Sequence, residues 1–137
     1  KTELRAEYWT GIQSGTNSTT TNPGTLPLAS TYLRHFNGAF FCFLQNIINP
    51  KNQLLVKYDW YDPNIKVKRV EIGKQGTNLT SADIKYSTLG LGFIRYINDQ
   101  VKLVMYYEWV NNEKTFLQGY QTDLKDNVFT MRIQFRF

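Results

Sequence analysis

The chain is 137 residues long, one domain or part of a larger one, with 16 basic and 11 acidic residues and a formal charge of +5. No run approaches the ~20 consecutive apolar residues of a membrane helix, and the single cysteine, Cys42, excludes an intrachain disulfide and a cysteine-built metal site. The basic residues are spread singly, with no cluster beyond Lys66, Lys68 and Arg69, so nucleic acid is not the expected partner. Nine Tyr, nine Phe and three Trp are about twice the aromatic share of an average domain. The mean hydropathy of −0.42 leaves a membrane β-barrel open, because every second residue of such a strand faces water.

Taken in order, Thr2–Ile12 alternates Leu4, Ala6 and Tyr8 against Glu3, Arg5 and Glu7, a first strand. Residues 14–30 are rich in Thr, Ser, Asn, Gly and Pro and read as a long exposed loop. Tyr32–Ile47 is a second strand whose middle, Ala39–Leu44, is apolar at every position, so its facing is ambiguous. The reading adopted turns Phe36, Phe40, Cys42 and Leu44 to the apolar side and His35, Asn37 and Gln45 to the polar side. Asn49-Pro50-Lys51-Asn52 is a tight turn. Leu54–Tyr61 is the third strand, with Leu54, Val56, Tyr58 and Trp60 opposite Lys57 and Asp59.

A polar, charged loop is expected from Ile65 to Asp83, and Lys85–Ile97 is the fourth strand. Leu89, Leu91 and Phe93 share one of its faces; Thr88, Gly90 and Gly92 share the other, where the glycines leave room for Tyr106. Arg95 falls by parity on the apolar side. After a turn at Asn98-Asp99, Val101–Val110 is the fifth strand, and 111–125 is a third polar loop. From Val128 onward the last strand alternates Phe129, Met131, Ile133, Phe135 and Phe137 against Val128, Thr130, Arg132, Gln134 and Arg136, a mostly polar face.

The connections run long, short, long, short, long. That order gathers the long loops at one end and the tight turns at the other, as in outer-membrane barrels. The strands also approach the ~9–11 residues that cross a bilayer with tilt. The expected fold is all-β: an antiparallel up-and-down transmembrane β-barrel. Six strands are too few to close one, and the chain begins in a strand pattern with no export signal. Residues 1–137 are therefore expected to be the C-terminal part of a larger barrel.

The segments Lys57–Asn64 (KYDWYDPN), Ser87–Gly92 (STLGLG) and Lys125–Phe137 (KDNVFTMRIQFRF) resemble the C-terminal region of the phosphate-selective porin O/P family, above all its members in Bacteroidetes-type bacteria. The resemblance runs from about Tyr32 onward. It implies a Gram-negative outer-membrane barrel of about 16 strands, often a homotrimer, that passes small anions or other solutes. It does not carry phosphate specificity, because the constriction-loop lysines and arginines of particular members have no matched position here.

The inferred pore-lining residues are Arg5, Lys57, Asp59, Lys102, Glu108, Arg132 and Arg136, with Glu3 and Glu7 beside them. Their small cationic excess implies a mild anion preference. For any one of these charges the alternative is a cross-strand pair that only solvates the wall. The membrane girdle is assigned to Tyr8, Trp9, Trp60, Tyr107 and Trp109 at the long-loop side and to Phe135 and Phe137 at the other. The terminal Phe137 is also where barrel-assembly machinery is expected to recognise the chain. Expected partners are the lipid bilayer, lipopolysaccharide and small anions or other polar solutes, in the bacterial outer membrane.

No enzyme, cofactor or metal is expected. His35 is the only histidine and supports no catalytic triad. Asp59, Asp62 and Asp83 are the only candidates for loop calcium, and no EF-type loop accompanies them. Two rival functions are a non-conducting structural or partner-binding outer-membrane barrel and a soluble, lipocalin-like ligand-binding barrel. The soluble rival requires Leu103, Met105 and Trp109 to be buried.

Overall fold

The computed structural model describes residues 1–19 and 30–137; the middle of the first long loop, 20–29, lies outside the described residues. Among these, six strands form one antiparallel sheet: β1 Thr2–Gly15, β2 Tyr32–Asn46, β3 Asn52–Asp62, β4 Tyr86–Tyr96, β5 Val101–Asn112 and β6 Val128–Phe135. Spatial order follows chain order, so the sheet is an up-and-down meander. β1 and β6 are its two edges, and it is not closed. A single 3-10 turn, Ser81–Asp83, interrupts the second long loop.

Both tight turns are built on asparagine. Asn49 Oδ1 accepts from the Lys51 N–H and from Asn52 Nδ2, each at 3.0 Å, with Ile48 left-handed at φ 63°. Asn98 Oδ1 accepts from the Gln100 and Val101 N–H groups at 2.9 and 2.8 Å. A short side chain that bonds its own backbone two residues on is what makes Asn a turn former.

The register is staggered. The row that closes the first tight turn, Asn46 with Gln53, continues through Ile94 to Val104. The second tight turn closes two residues further along, at Tyr96 with Lys102. Two strands across, the turn has slipped by two residues, one per strand. At about 3.3 Å per residue and about 4.8 Å between strands, this slip is a tilt of about 35°. Closed barrels tilt their strands by roughly 35–45°.

The same register fixes the faces. One carries Leu4, Phe43, Val56, Leu91, Tyr107 and Phe129 in a single row, and every second row beside it is of the same kind. With the strands levelled by the slip, Thr10, Asn37, Asp62, Ser87 and Asn111 mark one rim of this face, while Thr2, Gln45 and Arg95 mark the other. Between the rims every side chain is apolar or aromatic. On β5 the band runs from Val101 to Trp109, about 26 Å of strand or about 21 Å of height at that tilt, and it narrows on β4 to Leu89–Phe93, about 13 Å of strand. The apolar belt of a membrane barrel is about 25 Å tall.

Nothing covers this band among the described residues. Even on the inner strands Tyr58 is 44% and Leu91 40% exposed, and on β6 Met131 is 64% exposed. Among the described residues the fully buried apolar side chains are Ile72 and Ile84, which sit in the long loops, and the small Ala39 on β2 between Tyr8 and Trp60. The sheet is therefore held by its ladder and by cross-strand pairs rather than by a core. Phe41 stacks on Trp60 across the β2–β3 pair at 6.1 Å, and along β5 itself Tyr107 meets Trp109 edge-on at 4.5 Å.

Three expectations need correcting. β2 faces the opposite way: Cys42 pairs with Arg5 and Lys57, so Phe36, Phe40, Cys42 and Leu44 share the charged face and His35, Asn37 and Gln45 the apolar one. With Ala39–Leu44 apolar throughout, the strand has no facing signal of its own, and its neighbours' register decides. Trp9 also leaves the girdle. It pairs with Gly38 on the charged face, and its ring fills the space a side chain there would need, 2.7 Å from an ideal Cβ. The second and third long loops are not merely solvated chain, as described next.

Candidate functional site

All seven inferred lining residues lie on the charged face: Arg5, Lys57, Asp59, Lys102, Glu108 and Arg132 within strands, and Arg136 just beyond β6 by the same alternation. Glu3 and Glu7 join them. The charges are sorted along the strands. Toward the long loops lie Glu7, Asp59, Glu108 and Lys57; toward the tight turns lie Arg5, Lys102, Arg132 and Arg136 with Glu3.

Where these charges pair, they pair along one strand rather than across. Lys57 Nζ meets Asp59 Oδ2 at 2.8 Å, and Glu3 holds both Lys1 (3.3 Å) and Arg5. Lys102, Arg132 and Arg136 take part in none of the ion pairs found among the described residues. Lys102 instead lies 5.9 Å from the centroid of the Tyr96 ring.

Tyr106 lies flat across β4, as its spacing from the two glycines requires. An ideal Cβ on Gly90 stands 1.8 Å from the Tyr106 hydroxyl oxygen, and one on Gly92 stands 2.8 Å from the ring. Only hydrogen fits beneath the ring at both places. Nearer the long loops the charged face is aromatic: Trp9 packs on Phe40 at 6.5 Å and Phe36 on Tyr61 at 6.0 Å. The Tyr61 hydroxyl donates to Gln13 Oε1 at 2.9 Å.

Above this cluster the loops are knotted together by a charge pair the sequence reading missed. Arg34, 3% exposed, donates from Nε to Asp83 Oδ1 at 2.8 Å and from Nη1 to the Thr16 carbonyl at 2.9 Å. Asp83 also accepts from Asn64 Nδ2 (2.8 Å) and from the Thr80 N–H (3.0 Å). Burial pulls its carboxyl up, but Arg34, Asn64 and Thr80 outweigh that and hold it below the ordinary aspartate range. The Thr80 hydroxyl reaches back to the Asn17 carbonyl.

Arg34 stands on the charged face of β2, so residues 80–83 close over that face at the long-loop end. The third loop joins them. The Phe116 N–H donates to the Ile72 carbonyl at 3.1 Å, and Glu113 and Lys85 exchange two bonds. One signal was legible: Thr80-Ser81-Ala82-Asp83 is a capping box, which starts a helical turn rather than a solvated loop.

The inferred girdle residues Tyr8, Trp60, Tyr107 and Trp109 stand on the apolar face toward its long-loop rim. Phe135 and Phe137 stand at the other end. Trp60 donates from Nε1 to Asn37 Oδ1 at 3.3 Å, at the rim itself. Arg95, the one cation among the described strand residues of this face, is at the tight-turn rim and donates to Asn52 Oδ1 at 3.2 Å. The three aspartates considered for calcium do not converge: Asp83 is held by Arg34, Asp59 by Lys57, and Asp62 accepts from the Asn64 N–H.

No protein-family model, no curated protein and no solved structure matches this chain.

Proposed function

We propose that this chain supplies six neighbouring staves of an outer-membrane, porin-like β-barrel through which small polar solutes diffuse passively, with a mild preference for anions. One observation carries the reading: an uncharged, aromatic-bordered band, about 21 Å tall on β5, lies uncovered on one face, and all seven inferred lining charges stand on the other. In water such a face is a liability; against lipid it is what the solvent requires. The per-strand slip adds support, because it matches the tilt of closed barrels. The free edges of β1 and β6 are where the remaining staves would pair, since open edges are not tolerated in hydrocarbon. A soluble ligand-binding barrel fits less well, because Trp109 is 38% exposed and Leu103 and Met105 are only half-buried.

The loop cap gives weight to one rival, a membrane-inserted barrel that its own loops hold shut. Conductance of the full-length protein in planar bilayers separates the two. Discrete, ohmic single-channel steps support the pore, and a folded, inserted barrel without steps refutes it.

A further inference from the structure

We infer that the apolar face carries a binding site for an anionic phospholipid, with Arg95 holding the headgroup phosphate and the groove beside it taking an acyl chain. Arg95 is exposed at the tight-turn rim and takes part in none of the ion pairs found among the described residues. It is also held in place. Asn52, 4% exposed, donates from Nδ2 to Asn49 Oδ1 at 3.0 Å and accepts from Arg95 Nη1 at 3.2 Å. One N–H of the guanidinium is thus tied to the first tight turn, and the rest of its fork is left for a ligand.

Next to Arg95 lies an open groove of about 260 Å³, walled by Leu54, Leu91, Phe93, Met105, Tyr107 and Phe129. The register aligns the two. Arg95 stands in a row with Asn52 and Leu103; the next row of this face is Leu54, Phe93 and Met105, and the one after holds Leu91, Tyr107 and Phe129. At about 3.3 Å per residue, the groove begins about 7 Å from Arg95 along β4 and extends to about 13 Å. The occupant must therefore offer an anion that suits a planar N–H fork, as a phosphate diester does, and an apolar tail beyond it. A free phosphate ion leaves the groove empty. A second copy inserted in the same direction brings no carboxylate to Arg95 from this face, because Asp62, the one acid among its described strand residues, stands at the far rim. A lipid meets both needs, and cations at a leaflet surface favour anionic headgroups. Tight turns are periplasmic in outer-membrane barrels, so the lipid is a phospholipid of that leaflet rather than lipopolysaccharide.

This inference rests on the membrane-barrel part of the proposed function, and insertion is read separately from binding. Full-length protein in maltoside micelles is offered equal amounts of dioleoyl phosphatidylglycerol and dioleoyl phosphatidylcholine, and bound lipid is counted by native mass spectrometry. Retention of phosphatidylglycerol several-fold over phosphatidylcholine is expected. Arg95→Gln should lose the preference and Arg95→Lys should keep most of it. Lys102→Gln, which removes a cation at the same end of the opposite face, should leave it unchanged. Dihexanoyl phosphatidylglycerol, with the same headgroup on short tails, should bind several-fold more weakly. Equal retention of the two dioleoyl lipids, or an unchanged preference in Arg95→Gln, overturns the site. Displacement by excess inorganic phosphate assigns Arg95 to a free anion, equal binding of the dihexanoyl lipid leaves the groove no part, and disulfide-linked copies of Met105→Cys assign it to a second chain; each overturns the site as well. Insertion is scored by resistance of the liposome-reconstituted protein to carbonate extraction. An inserted protein without the lipid preference loses the site alone, and one that does not insert loses the barrel and the site together. One that binds the lipid but never conducts refutes the pore and leaves the site standing.

Discussion

A missing methyl group decides how β4 and β5 meet. Gly90→Ala sets a carbon where the Tyr106 hydroxyl lies, and the ring must swing away from both glycines. The expected cost is about 1–3 kcal/mol, the usual penalty of overpacking, read as the shift in denaturant midpoint in lipid vesicles. In a Tyr106→Ala background the same change should cost little, because the clashing atoms are gone. Equal costs in the two backgrounds would show that the ring's seat is incidental.

Arg34 and Asp83 tie the second long loop to β2. Arg34→Ala leaves a buried carboxylate uncompensated, at about 3–5 kcal/mol for a fully buried pair. Asp83 is held below its ordinary value near 3.8, so its stabilisation is in full force above that pH and fades as pH falls through the depressed value. Limited proteolysis between Ile65 and Asp83 checks both. Cutting should be fast in Arg34→Ala at neutral pH, and in the unaltered protein only under strongly acid conditions. Uniform protection would place the strength of the cap elsewhere.

At the scale of the element, the six strands were legible because a period of two needs only alternation. Val128–Phe135 declares both faces residue by residue, and Val101–Asn112 nearly so. β2 was not legible, because Ala39–Leu44 is apolar on both sides and the wall it faces holds Trp9, Tyr61 and glycines as well as charge. Trp9 was misplaced for a related reason: an aromatic at a strand's upper end looks like girdle whichever way it points. The loop cap was hidden because it depends on Arg34 meeting Asp83 across 49 residues of chain, and no local pattern announces that contact. Single substitutions on β6 test the facing directly. Met131→Lys should cost about 2–4 kcal/mol of stability in bilayers, as a charge in hydrocarbon does, whereas Gln134→Lys should be nearly neutral. Similar costs for the two would mean that β6 does not separate lipid from water.

At the scale of the molecule, the proposed barrel makes the sheet a wall between two solvents, whatever passes through it. It is tested most directly by spin labels placed one at a time at Val128 through Phe135, in a Cys42→Ser background of the full-length protein reconstituted in bilayers. Oxygen, which concentrates in hydrocarbon, should relax labels at Phe129, Met131, Ile133 and Phe135, while a water-soluble nickel chelate should relax those at Thr130, Arg132 and Gln134. A strict alternation of the two relaxation enhancements is the predicted result. Labels at Met131 and Ile133 shielded from oxygen and nickel alike would mean a sealed protein interior, and would contradict the account at its root.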